Sequence, residues 1–307
     1  AASDVYKRQT FGYKAEPTPA GGYTAAKISV KGLKGGHSGI QIVCQRANAN
    51  KVLFRFLNAA SASCDVLLCS VDGGGLRNAI PREAFATVAV MKKHEKAFQN
   101  AVKKFEKIYI DEYKGIEDGI SFKAVPVKTP SKAINFFDQA NLVDAVFGCP
   151  NGVMRMSTSM PGLVQTSSNL ARVVSERGYF KIMCLLRSSV NTEKDDLALM
   201  IRTVFELTGA TVRTSGAYDG WNPNMDSPIL RAMKAGYKEL FGKEPAVMAI
   251  HAGLECGIIG GKYPDMDMIS CGPTIKYPHS PDEKVNIASV EKFWKFLCHT
   301  LETIPVK

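Results

Sequence analysis

The stretch YTAAKISVKGLKGGHSG, residues 23–39, decides how the chain reads. Tyr23 to Lys31 alternates and is rich in β-formers, so it predicts a strand. Gly32 to Gly36 predicts a glycine-rich turn, which places His37, Ser38 and Gly39 where a strand end presents side chains. Beyond it, residues 47–60 carry apolar residues at helical spacing behind Asn48, a natural N-cap. Strands are then expected at 65–71 and 84–91 around the turn Gly73-Gly74-Gly75, a long amphipathic helix at 93–113, a strand at 120–127 and a helix at 134–147. After the break Cys149-Pro150-Asn151-Gly152, two strands are expected at 164–174 and 179–188, then a helix at 193–208 closed by Gly209. Paired strands mixed with helices predict an antiparallel sheet backed by helices, an α+β layer.

Past Tyr218 the pattern changes. A helix at 227–241 closed by Gly242, short apolar strands at 245–250 and 266–270, and a helix at 289–304 predict part of a parallel α/β sheet. About ninety residues is thin for a doubly wound domain standing alone, so this half reads as incomplete.

The 307 residues are 45% hydrophobic and 22% charged, which excludes disordered, collagen-like and disulfide-scaffold classes. No apolar run approaches the ~20 residues that cross a bilayer, so no membrane role is expected. The formal charge of +10 permits an anionic partner. Its densest basic stretch, Lys92 to Lys107, reads as a solvated helix face, with a nucleic-acid stripe as the lesser reading. The eight cysteines are scattered without a CxxC pair, which predicts a reducing, cytoplasmic compartment.

Five histidines can be weighed singly. His94 and His299 read as surface or helix-end residues. His279, in the proline-rigid loop Tyr277 to Glu283, is a metal-ligand candidate, with a structural loop histidine the competing reading. His251, Glu255 and Cys256 miss the usual zinc spacings, and a turn with Cys256 packed inward is the simpler reading. His37 is open between a plain turn residue and a functional one. No nucleophile elbow, P-loop or dinucleotide fingerprint is present.

Seven strings, KGLKGGHSG (31–39), NANK (48–51), LRNAIPREAFA (76–86), QTSSN (165–169), CLLRSSV (184–190), HAGLECG (251–257) and the stretch 268–294 around PHSPDE, together resemble the aminoacyl-histidine dipeptidase group of di-zinc exopeptidases. The resemblance runs from about Thr10 to Lys307. It implies an α/β chain: an unmatched leader at 1–9, an α+β lid or dimerisation domain at 10–216, and the carboxy-terminal part of an α/β catalytic domain at 217–307. It implies a cytoplasmic homodimer, a dipeptide substrate, zinc as cofactor (two per intact site, or another divalent metal) and neither nucleic-acid nor membrane partners. His279 matches the last metal ligand of the family. His37 and Asn78 match lid residues that reach the neighbouring subunit's site, Arg187 the arginine that holds the substrate carboxylate, and Gly253 a glycine lining the substrate. Family members carry further metal ligands and a general base upstream of the lid, and none stands in this sequence. The expectation is therefore an amino-terminally truncated piece, inactive alone. A non-catalytic dimerisation or regulatory module is the alternative. Val43, Gln45 and Ala47 replace a His and two glycines of some relatives, a local departure.

Overall fold

The computed structural model describes residues 2–19, 21–216, 219–251, 255–276 and 283–304. The chain opens with strand β1 (Ser3–Gly12) and the short β2 (Ala15–Pro17), then β3 (Tyr23–Lys31) and β4 (Gly36–His37). Helix α1 (Ala49–Ser61) follows, its N-cap Asn48 accepting from the amides of Asn50 and Lys51. Next come β5 (Val66–Gly74), β6 (Ala79–Ile80), β7 (Ala84–Met91), α2 (Glu95–Glu112), β8 (Ser121–Val127), β9 (Lys132–Ile134) and α3 (Phe136–Gly148). The sheet is completed by β10 (Gly152–Met156), β11 (Val164–Glu176) and β12 (Tyr179–Ser188), then α4 (Asn191–Glu206) and β13 (Thr211–Ser215). Beyond these lie α5 (Pro228–Phe241), α6 (Glu255–Lys262), a small ribbon of β14 (Ile275–Lys276) with β15 (Lys284–Val285), and α7 (Ile287–Thr303).

Among the described residues nine strands form one antiparallel sheet in the order β13-β1-β12-β11-β5-β7-β3-β8, with β10 on β11. The hairpin β11–β12 turns through Arg177 and Gly178, both at positive φ, as a tight two-residue connection requires. Alternation decides what each face meets. Ile182, Cys184 and Leu186 of β12 point into one core with Leu170 of β11, Ile28 and Val30 of β3, and Leu53, Phe56 and Leu57 of α1. The intervening residues Leu185 and Arg187, opposite Asn169 and Ser167, therefore face the other way. They are buried too, with Gly39 against Arg187 and His251 against Ser167 on that side.

Several expectations need correction. Residues 1–9 were set apart as a leader, but the boundary falls inside β1, which pairs along its whole length with β12 and also carries β13. Stretches 245–250 and 266–270 are not strands, because no neighbour among the described residues offers them a ladder, and a strand exists only as part of one. No parallel pairing occurs among the described strands. His299 lies in the last turn of α7, where it packs half-buried on Gly236 of α5, with Glu239 at 3.5 Å. Lys103, Lys104 and Lys107 do lie exposed along α2. All eight cysteines are free thiols, and Cys149 and Cys184 bring their buried sulfurs to 3.8 Å.

Candidate functional site

The loop after β3 is shaped by its glycines. Gly32 takes φ +77° and stacks so closely on Gly119 that a side chain would collide with its carbonyl. Glu117, 2% exposed, pins both ends of the loop: its carboxylate accepts from the Lys34 amide at 2.7 Å and the Ala47 amide at 3.1 Å. Arg46 adds a bond to the Gly35 carbonyl at 2.5 Å. The chain between them is thus delivered to β4.

There β4 pairs with β6, Gly36 opposite Ile80 and His37 opposite Ala79, and the Ser38 amide donates to the Asn78 carbonyl at 2.8 Å. His37 and Asn78, 41 positions apart in sequence, are neighbours. The His37 Nδ1 accepts from the amides of Gly39 (3.1 Å) and Ile40 (3.2 Å). A neutral imidazole accepting at Nδ1 carries its proton on Nε2, so His37 is built as a donor. Asn78 is exposed, but its backbone is held from below. The buried Asn169 amide donates to the carbonyls of Arg77 and Ala79 on either side (3.3 and 2.8 Å), and Asn48 donates to Asn169 and to the Leu170 carbonyl. The NANK and QTSSN strings are this framework. Lys51, the last residue of the first string, bonds the end of α3 through the carbonyls of Val146 (3.1 Å) and Cys149 (3.0 Å), and burial lowers its pKa.

Arg187, on the sheet face away from the helices and 3% exposed, pairs its Nη1 with Asp4 of β1 at 2.5 Å. Gly39 lies against it: a Cβ there would sit 3.1 Å from the Arg187 Nε and 3.1 Å from the His37 ring, and would collide with the His251 carbonyl. Sequence reasoning left out His251 here. It is 5% exposed, and its Nε2 lies 2.7 Å from Oγ of Ser167, the register partner of Arg187. Burial and the neighbouring Arg187 charge push its pKa down to about 3, against an opposing effect of the Val164 backbone, so the ring is neutral. Glu255 is exposed at the start of α6 and Cys256 half-buried. These residues do not form a zinc set with His251. The available signal in sequence was the run of polar residues Gln165 to Asn169 inside a strand, which period-2 alternation alone would have made half apolar.

The structure therefore gathers His37, Asn78, Arg187 and the unforeseen His251 and Ser167 on one face of β11 and β12. His279 and Gly253 lie outside the described residues. Among the described residues no group of three or more His, Cys, Asp or Glu side chains could hold a metal ion, so these residues do not by themselves fit a zinc site.

Residues 28–117 match the family model described as a peptidase dimerisation domain. The chain is 40% identical over 292 residues to the cytosol non-specific dipeptidase of Escherichia coli strain K12, covering 95% of this chain and 60% of that protein. It superposes on the crystal structure of aminoacylhistidine dipeptidase from Vibrio alginolyticus with a TM-score of 0.94 at 41% identity, covering 100% of this chain and 62% of that one. The chain thus spans about 60% of the length of these relatives.

Proposed function

Because this chain is a relative of the cytosol non-specific and aminoacylhistidine dipeptidases along nearly its whole length, we propose that it is part of a zinc-dependent dipeptidase of the cytoplasm that hydrolyses Xaa-His and other unblocked dipeptides. The observation that carries this reading is the similarity itself, joined to a sheet face on which a histidine donor, an exposed asparagine and a buried arginine converge. In this reading residues 10–216, with β1 added to their sheet, are the lid, and 217–307 belong to the catalytic domain.

Arg187 would bind the carboxylate end of the dipeptide, for which its planar fork is suited. The Nε2–H of His37 and the Asn78 amide would donate to the carbonyl oxygen as charge develops on it. They would do so across a homodimer interface between lids, in keeping with the dimerisation-domain match. Gly253 would line the substrate and His279 would supply one metal ligand. When bound, the metal pair would activate water for attack on the peptide carbonyl. Since the described residues do not fit a zinc site, this chain alone is expected to hydrolyse no dipeptide. The test is incubation of the purified 307-residue protein with Gly-His and zinc. No histidine release is expected, and zinc-dependent release would overturn the proposed inactivity.

A further inference from the structure

We propose that Asn169 is a positioning residue for the reaction: its buried carboxamide clamps the turn that carries Asn78 and so aims the Asn78 amide. This deepens the dipeptidase reading and rests on it, since there Asn78 donates to the developing oxyanion. The Asn78 side chain is exposed, and the turn leading to it has little packing of its own. Leu76 is 74% exposed, and a Cβ on Gly75 would meet nothing within 4 Å. What holds Asn78 in place is therefore its backbone.

One carboxamide grips that backbone on both sides. Asn169 is 1% exposed, and its Nδ2 donates to the carbonyls of Arg77 at 3.3 Å and Ala79 at 2.8 Å, the two neighbours of Asn78. Both of its hydrogens thus go to the turn, and its Oδ1 accepts from the Asn48 Nδ2 at 3.4 Å. Asn48 is itself fixed, because its Oδ1 caps α1 by accepting from the amides of Asn50 and Lys51. A core helix, the central strand β11 and an exposed turn are joined through one side chain. The residue type follows from this: aspartate has no hydrogens to give, leucine neither donates nor accepts, and glutamine is one methylene longer. The Ser38 amide, donating to the Asn78 carbonyl at 2.8 Å, holds the remaining group and keeps Asn78 beside His37. A catalytic donor misplaced by ~1 Å can cost about a hundredfold in rate, so an exposed turn that carries one needs such a clamp.

The test uses the Escherichia coli dipeptidase with this chain in place of its matching part, assayed on Gly-His with zinc. N169L keeps the shape and loses every bond, whereas N169D keeps the shape and loses the donors. Each should lower kcat about tenfold or more with KM within about twofold, and neither should lower it further in an N78A background, where the contribution of Asn78 is already gone. Losses that multiply in the double variant would mean a general structural role and overturn the proposal. So would an unchanged kcat in N169L where N78A loses about a hundredfold, a result that leaves the dipeptidase reading standing. An unchanged kcat in N78A would remove the oxyanion role of Asn78 and the proposal with it. If both variants at 169 misfold, nitrogen-15 NMR of the unsubstituted chain decides. The Asn169 side-chain protons should exchange far more slowly than those of Asn78 and show Overhauser contacts to residues 77–79. Exchange as fast as at Asn78 would overturn the proposal.

Discussion

His251 shows what a buried base held neutral does to stability. Its folded pKa near 3 lies below the ordinary value of 6.5, so in acid the unfolded chain binds a proton that the folded one refuses. The contribution is complete above about pH 6.5 and is lost as pH falls towards 3. Between pH 6 and 4.5 its slope is about 1.4 kcal/mol per pH unit at most, and comparison with H251Q separates it from the glutamates that begin to titrate near the lower end. Urea midpoints at pH 6 and 4.5 should differ clearly for the natural protein and much less for H251Q; equal differences would contradict the assignment. Gly39 is the second residue of this kind. Gly39→Ala would drive its Cβ into the His251 carbonyl and crowd Arg187, and should lower Tm by several degrees for ~1–3 kcal/mol of overpacking. A Tm unchanged within a degree would show that the contact yields freely. His37, Asn78 and Arg187 were legible only as matches to motifs. Ser167 and His251 stood inside quoted strings, but their pairing was not legible, because a serine on a strand and a histidine after an apolar run look alike whether they are buried against each other or wet.

Elements carry the next lesson. Tyr23–Lys31, Ala84–Met91 and Tyr179–Ser188 stand where alternation placed them, since one face of each meets the common core. Helix α1 begins at the cap the residues announced, Asn48, and α5 ends at the announced Gly242, at φ +66°. What failed was local reading of segments whose structure depends on a neighbour. Residues 245–250 are apolar enough for a strand but have no described partner, and β1 has little apolar periodicity yet is a strand because β12 and β13 flank it. Glu117 belongs to this scale, because one carboxylate closes a loop of fourteen residues from Lys34 to Ala47. Glu117→Ala leaves two amides unpaired and should cost about 2–3 kcal/mol. Amide exchange at Lys34 and Ala47 should accelerate together and by more than at Val52 in α1. Uniform acceleration would mean that the whole fold loosened rather than the loop.

At the scale of the molecule, the α+β layer with its antiparallel sheet was legible because its partners lie within the chain. The character of residues beyond 218 was legible only as incomplete, and the structure there leaves Met248, Ile287, Trp294 and Leu301 each more than 60% exposed. No described helix is long and apolar enough to cross a membrane. The 90 residues that match a peptidase dimerisation domain lead to an expected dimer in sedimentation equilibrium at micromolar concentration, and a strict monomer would remove the cross-subunit role of His37 and Asn78. The most direct measurement uses the relative that this chain covers to 60%. A chimera in which this chain replaces the matching part of the Escherichia coli dipeptidase should hydrolyse Gly-His in the presence of zinc. R187A in the same chimera should lower kcat/KM at least a hundredfold. A folded, dimeric chimera without dipeptidase activity, or one in which R187A changes nothing, would contradict the account.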